Sequence, residues 1–168
     1  MAGLASEGSA AASVCRGVAV RKDVVAVVLS WRERLALFKR SNLVDHDRGL
    51  WHCVTGYLDD PDAAGAPRRQ ALVELYEETG LGIADLTAFE QGPALELLDG
   101  EVLWVVHTFR ADTTRRRLEL NWEHDAYRWV RRSSLRRFCG RVAWLDDVLR
   151  AGDPGGPVGG STPGQHCS

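Results

Sequence analysis

Residues 24–29 form an unbroken apolar, largely β-branched run; after the polar stretch Ser30-Trp31-Arg32-Glu33-Arg34, a second apolar run occupies 35–38. Short runs of this kind separated by a polar turn predict two strands of one sheet. A short strand is expected over 51–55, stopping at Gly56. Residues 94–98 and 101–109 flank Asp99-Gly100, a pair suited to a turn needing positive φ, and predict a hairpin. Residues 118–120 and 127–130 carry weaker strand patterns. Ser133 or Ser134 stands where it can cap a short helix, and 144–149 has the spacing of a terminal one. The longest helix is expected to begin near Pro67, a good first-turn residue, and to end at Gly80, a good terminator. Strands, one strong helix, more strands and a terminal helix describe an α/β sandwich with a mixed sheet. A doubly wound nucleotide fold would alternate strand and helix throughout.

Composition narrows the picture. The 168 residues are 45% hydrophobic and 26% charged, with a formal net charge of −2, which suits one globular domain with a buried core. Gly, Pro and Ser dominate from residue 151 onward and 1–14 lacks periodicity, so tails are expected at 1–14 and 151–168 around a domain at 15–150. The charge balance argues against nucleic acid held by bulk charge. Only Lys22 and Lys39 are lysines, beside 19 arginines, which reads as compositional bias in a chain rich in Ala, Gly and Val. No apolar run approaches the roughly 20 residues that span a bilayer. The N-terminal stretch lacks the basic start of a secretory signal. Cys15, Cys53, Cys139 and Cys167 have no C-x-x-C spacing, so reduced thiols and a cytoplasmic location are the expectation.

The chemistry concentrates on the long helix. At about 100° per residue, Glu74, Glu77 and Glu78 stand at i, i+3 and i+4 on one face, while Ala71, Leu72, Leu75 and Thr79 take the opposite one. Like charges so spaced cost about a few tenths of a kcal/mol per pair. Acidic triplets are commonly solvated faces, but a hard divalent cation would remove the repulsion while keeping waters for a phosphate substrate to replace. The preceding loop, Val54-Thr55-Gly56-Tyr57-Leu58-Asp59-Asp60, follows a strand; its backbone carbonyls and Asp59 are candidates to complete the coordination.

These residues resemble the box of the Nudix hydrolases, Gly-x5-Glu-x7-Arg-Glu-U-x-Glu-Glu-x-Gly-U with U aliphatic. Val73-Glu74-Leu75-Tyr76-Glu77-Glu78-Thr79-Gly80-Leu81 matches its second half, except that Val73 stands where Arg is expected. Gly56 fits the opening Gly, and Asp62 follows after five residues in place of Glu. Ten residues, in place of seven, separate Asp62 from Val73, an insertion around Ala63-Ala64-Gly65. Trp51 and the stretch Trp122-Glu123-His124-Asp125-Ala126-Tyr127-Arg128-Trp129-Val130 also resemble segments flanking the box.

The resemblance implies a Nudix-like α/β/α sandwich that binds Mg²⁺ or Mn²⁺ and hydrolyses a diphosphate linkage by attack of water at phosphorus. The substrate would be a nucleoside diphosphate linked to another moiety, or a nucleoside triphosphate. Glu77 and Glu78 would be the principal metal ligands, Glu74 a ligand or the residue orienting them, and the carbonyl at Thr55 or Gly56 would complete the inner sphere. Glu123 or Glu74 would be the base. The box Arg normally pairs with a helix glutamate; Arg69 or Gln70, one turn before Val73, is the candidate replacement.

Outside the box, Arg40 and the pair Arg131-Arg132 are candidate phosphate contacts, and Trp31, Trp51 and Trp122 lie near turns where they can stack on a base. Trp104 and Trp129 read as core. The run 115–117 is all arginine but has no interleaved aromatics, and reads as a solvated loop. Arg40, Trp51 and Asp59 are therefore the substrate-side candidates. Cys53 has no Cys–His–acid constellation and is not read as a nucleophile. Two further functions share the fold: a sensor or regulator that binds a nucleotide without turnover, and an isoprenoid-diphosphate isomerase, for which no Cys/Glu pair can be placed. Retention of all three glutamates favours the hydrolase. The expected partner is a small-molecule nucleotide, in a monomer or homodimer.

Overall fold

The computed structural model describes residues 20–152. The expected 1–14 tail lies outside them, as does that at 151–168 apart from Ala151 and Gly152. Strands β1 (Val20–Trp31), β2 (Arg34–Arg40), β3 (Trp51–His52) and β4 (Val54–Tyr57) precede helix α1 (Ala66–Thr79); β5 (Leu86–Asp99), β6 (Val102–Thr113), β7 (His124–Arg131) and helix α2 (Leu145–Ala151) follow. The seven strands form one sheet built around β1. Along one edge β1 pairs in parallel with β6, from Val20↔Val102 to Ser30↔Asp112. Its other edge pairs antiparallel with β4, Val24↔Tyr57 to Val27↔Val54, and then with β2 at Ser30↔Leu35 and Trp31↔Arg34. Strand β5 flanks β6, while β3 and β7 flank β2.

The unbroken apolar run of β1 follows from burial on both faces. Val25, Val27 and Leu29 join Phe38, Leu75 and Phe109 under α1, whereas Val24, Ala26 and Val28 join Leu37, Val106, Leu145 and Val148 under α2. A core on each side of the sheet makes the α/β/α sandwich. Helix α1 starts after Gly65 (φ 70°) and ends at Gly80 (φ 71°), whose N–H reaches the carbonyl of Tyr76. The inserted loop closes as a turn, with the Ala66 N–H on the Ala63 carbonyl at 2.9 Å.

Three expectations are corrected. The hairpin turn is Gly100-Glu101, one residue beyond Asp99-Gly100, because Asp99 pairs with Val102 and only Gly100 (φ 61°) needs the left-handed region. Residues 118–120 are not a strand: the Leu118 N–H is donated to Tyr127 Oη and that of Glu119 to the Thr79 carbonyl, leaving no ladder to join. The short helix near Ser133 and Ser134 is a 3-10 segment, Arg132–Arg137, whose N-cap is Arg131 with no side-chain cap.

Candidate active site

Helix α1 does not present its three acids equally. Glu77 is exposed, Glu74 half-buried and Glu78 buried at 1% exposure. The face expected to be wholly acidic thus turns partly inward: Ala71, Leu75 and Glu78, spaced i, i+4 and i+7, share the buried stripe. Glu78 Oε1 accepts the Thr55 N–H at 3.3 Å. Its Oε2 has no hydrogen-bond partner and lies 3.6 Å from His124 Nε2. Burial, reinforced by the charges of Glu123 and Glu74, raises the Glu78 carboxyl well above its ordinary range. Glu123 immediately precedes β7, and its charge acts on both Glu78 and Glu74. Its carbonyl receives the Ser41 N–H at 2.7 Å, which ties it to the end of β2, and Asn121 Nδ2 reaches its Oε1 at 3.4 Å.

Strand β4 passes so close to α1 that a Cβ on Gly56 would stand 1.8 Å from Glu74 Oε1. A side chain at position 56 would therefore displace the Glu74 carboxylate from where it lies. Gln70 Nε2, one turn earlier, donates to Glu74 Oε1 at 2.7 Å. Of the two candidates to replace the box Arg, Gln70 holds a helix glutamate, while Arg69 Nη1 donates to the Ala64 carbonyl. Val73 is 46% exposed and takes no part. Burial raises the Glu74 carboxyl and the Gln70 bond opposes that rise. In Gln70→Ala the carboxyl is expected to rise further, so the Glu74 carboxyl resonance followed by NMR should titrate at higher pH than in the parent. An unmoved titration would dismiss Gln70 as the orienting residue.

Arg40 closes the rim. Its Nε donates to the His46 carbonyl at 3.0 Å, and its charge lowers the carboxyl of Glu78 and the imidazoles of His52 and His124. The other two substrate-side candidates lie elsewhere. Trp51 packs on the α2 side with its ring centroid 5.1 Å from Phe138. Asp59 lines a separate groove of about 450 Å³ with Arg21, Asp23 and Tyr57. Sequence reasoning missed His124. It is buried, 5.3 Å from the Phe38 ring, and burial with the Arg40 charge lowers it to about 4, so it is neutral opposite Glu78. Its single signal was a polar residue at the start of an alternating strand.

His52 is a structural counterpart. It accepts the Cys53 N–H on Nδ1 at 2.6 Å and meets the Trp144 ring edge-on at 4.5 Å. Burial, then the charges of Arg40 and His124, holds it down to about 3. A depressed imidazole stays neutral in the fold while the unfolded chain takes up a proton below about 6.5, so its stabilisation is lost as pH falls from 6.5 toward 3. Denaturant titrations from pH 7 to 5 should show a steeper decline in the parent than in His52→Asn, by about 1–2 kcal/mol. Equal slopes would contradict the assignment. Cys53 is buried beside it with its thiol pushed up, consistent with an inert side chain.

A mixed sheet between two helices, with a carboxylate helix laid against the Thr55-Gly56 backbone, defines the class of protein. The NUDIX domain family model matches residues 20–150, and the chain belongs to that family. Its fold is shared by the MutT protein of Methanosarcina mazei Go1, with TM-score 0.64 at 17% identity over 77% of this chain and 91% of that one. The NUDIX domain of Shewanella oneidensis NrtR, determined with ADP ribose, gives 0.58 at 15% identity, over 77% and 84%. The Escherichia coli dihydroneopterin triphosphate pyrophosphohydrolase gives 0.58 at 18%, over 78% and 95%. At these identities the likeness is one of fold. Comparison with curated protein sequences finds no match.

Proposed function

We propose that this protein is a metal-dependent pyrophosphohydrolase that cleaves a diphosphate linkage in a nucleotide-derived small molecule. The observation that carries the reading is Glu78: a buried carboxylate with an unpartnered oxygen, beside a second carboxylate pressed against the Gly56 backbone. A buried charge without compensation is costly, and a cation offsets it. Among the described residues no three His, Cys, Asp or Glu side chains form a ready cage by themselves. The donor set nevertheless fits a hard ion, because it is all oxygen: Glu74, Glu77, Glu78 and the carbonyl of Gly56. Bound there, Mg²⁺ or Mn²⁺ would neutralise diphosphate charge and lower the pKa of water.

The chain's own residues would do the rest. Arg40, at the rim, would bind a phosphate oxygen. Gln70 holds Glu74 in place. Glu123 or Glu74 would accept the proton of the water whose oxygen attacks phosphorus as the bridging P–O bond breaks, the electron pair leaving with the departing phosphate group. A panel of nucleoside triphosphates, ADP-ribose, dinucleotides and diphosphate sugars, incubated with Mg²⁺, tests this by release of phosphate or nucleoside monophosphate. Thermal stabilisation by a panel member with no turnover of any would support a nucleotide-binding sensor instead.

A further inference from the structure

A groove of about 1580 Å³ opens where the β1–β2 hairpin meets the ends of β6 and β7. It lies at the Arg34 end of β2, while Arg40 and the carboxylates stand at the other end, about 20 Å away at 3.4 Å per residue. Trp31 and Trp129 stand in it with centroids 5.7 Å apart. The guanidinium groups of Arg32 and Arg116 lie 5.1 and 5.5 Å from the Trp31 ring centroid, and Trp129 Nε1 donates to the Arg116 carbonyl at 2.9 Å. Arg116, from an arginine run that is barren of aromatics in sequence, is therefore laid against two indoles in space.

Two features show charge held without a counter-charge. Arg34 and Arg131 are directly opposed cross-strand partners, an arrangement that repels. Among the described residues no ion pair engages Arg32, Arg34, Arg116 or Arg131. Of the two acids lining the groove, Asp112 is already 3.9 Å from Arg110, and Glu33 sits in the hairpin turn. That turn places Arg32 (φ 46°) and Glu33 (φ 61°) in left-handed geometry, a conformation hairpins ordinarily assign to Asn-Gly.

We propose that this groove binds single-stranded nucleic acid, phosphates on the opposed arginines and bases on the indole and guanidinium planes. An acidic peptide would satisfy the charge but would leave the planes without stacking partners. Net charge near zero is no objection, since the relevant quantity is the local patch. The proposal is independent of the hydrolase reading: it uses none of Glu74, Glu77, Glu78, Glu123, Gly56, Gln70 or Arg40, and it places Trp31 and Arg131, candidates for substrate contact in sequence, in this groove instead.

Fluorescence anisotropy with labelled 12-nucleotide oligo(U) and oligo(dU), in EDTA, tests it on the full chain. Both are expected to bind in low salt, with affinity falling as salt rises; preference for one sugar identifies RNA or DNA as the source. Arg34→Gln with Arg131→Gln should weaken binding about tenfold and flatten the salt dependence by about 1.4 units of slope. Trp31→Ala should weaken oligonucleotide binding about tenfold while leaving inorganic polyphosphate affinity unchanged. Glu78→Gln should bind as the parent does, and thermal melts check that each variant folds. Absence of binding at low salt overturns the proposal, as does parental affinity in the arginine variant. Equal losses for polyphosphate and oligonucleotide in Trp31→Ala would overturn the stacking role and the nucleic-acid assignment with it.

Discussion

Glu78→Gln is expected to abolish turnover, by about 10³-fold or more, while leaving the protein folded. The amide has the shape of the carboxylate, and its oxygen can still accept the Thr55 N–H that Glu78 Oε1 accepts at 3.3 Å. It removes the buried charge and offers no anionic ligand. Stability in the absence of metal should therefore be equal to or above that of the parent, because an ionised group with a raised carboxyl pKa no longer has to be desolvated. Metal separates the two proteins. Millimolar Mg²⁺ should raise the thermal midpoint of the parent and leave that of the variant unchanged. Near-parental turnover in Glu78→Gln would remove the metal assignment; a collapsed fold would instead show that the buried carboxylate is structural.

Gly56→Ala is expected to cost about 10²-fold in kcat with a modest loss of stability. The added Cβ would stand 1.8 Å from Glu74 Oε1, 2.0 Å from its Cδ and 2.4 Å from its Cγ. The flexible carboxylate has to move. Its hydrogen bond from Gln70 is broken by that movement, and the Gly56 carbonyl loses its carboxylate neighbour. The backbone of Gly56 is not in the left-handed region, so the methyl acts through sterics alone, at about 1–2 kcal/mol of overpacking. Steady-state kinetics beside a thermal melt checks the split. Unchanged kcat would mean that Glu74 works from another position.

The long helix was legible because three independent local signals coincide on it: Pro67, Gly80 and the acids between them. The sandwich was legible from the order of its elements, strands, one strong helix, more strands and a terminal helix. What sequence could not show was depth. Glu78 is four residues from Glu74 and three from Leu75, so a helical wheel assigns it to the acidic face and to the border of the apolar one. Only the position of β4 decides, by bringing the Thr55 N–H to the carboxylate. His124 stayed hidden for a related reason: a single histidine beside a weak strand pattern looks like a core residue until the helix carboxylate it faces is known. The Trp31–Arg116 contact joins residues far apart in the chain, and no local pattern encodes it. Gln70, by contrast, was visible as one of two alternatives, and its i, i+4 spacing to Glu74 is what selects it.

The central position of β1 has a consequence for how the chain reaches its fold. Its inner residues are buried on both faces, yet its parallel partner β6 ends only at Thr113. During synthesis the segment Val24-Val25-Ala26-Val27-Val28-Leu29 must wait for most of the domain to emerge before one of its two edges can be paired. Such β-rich, uncharged, proline-free stretches associate readily while they wait, and long-range parallel pairing is slow to form. Fragments ending before β6 should therefore be insoluble where the whole domain is not, and the yield of folded protein should depend more on how long that strand stays open than on how stable the finished sheet is.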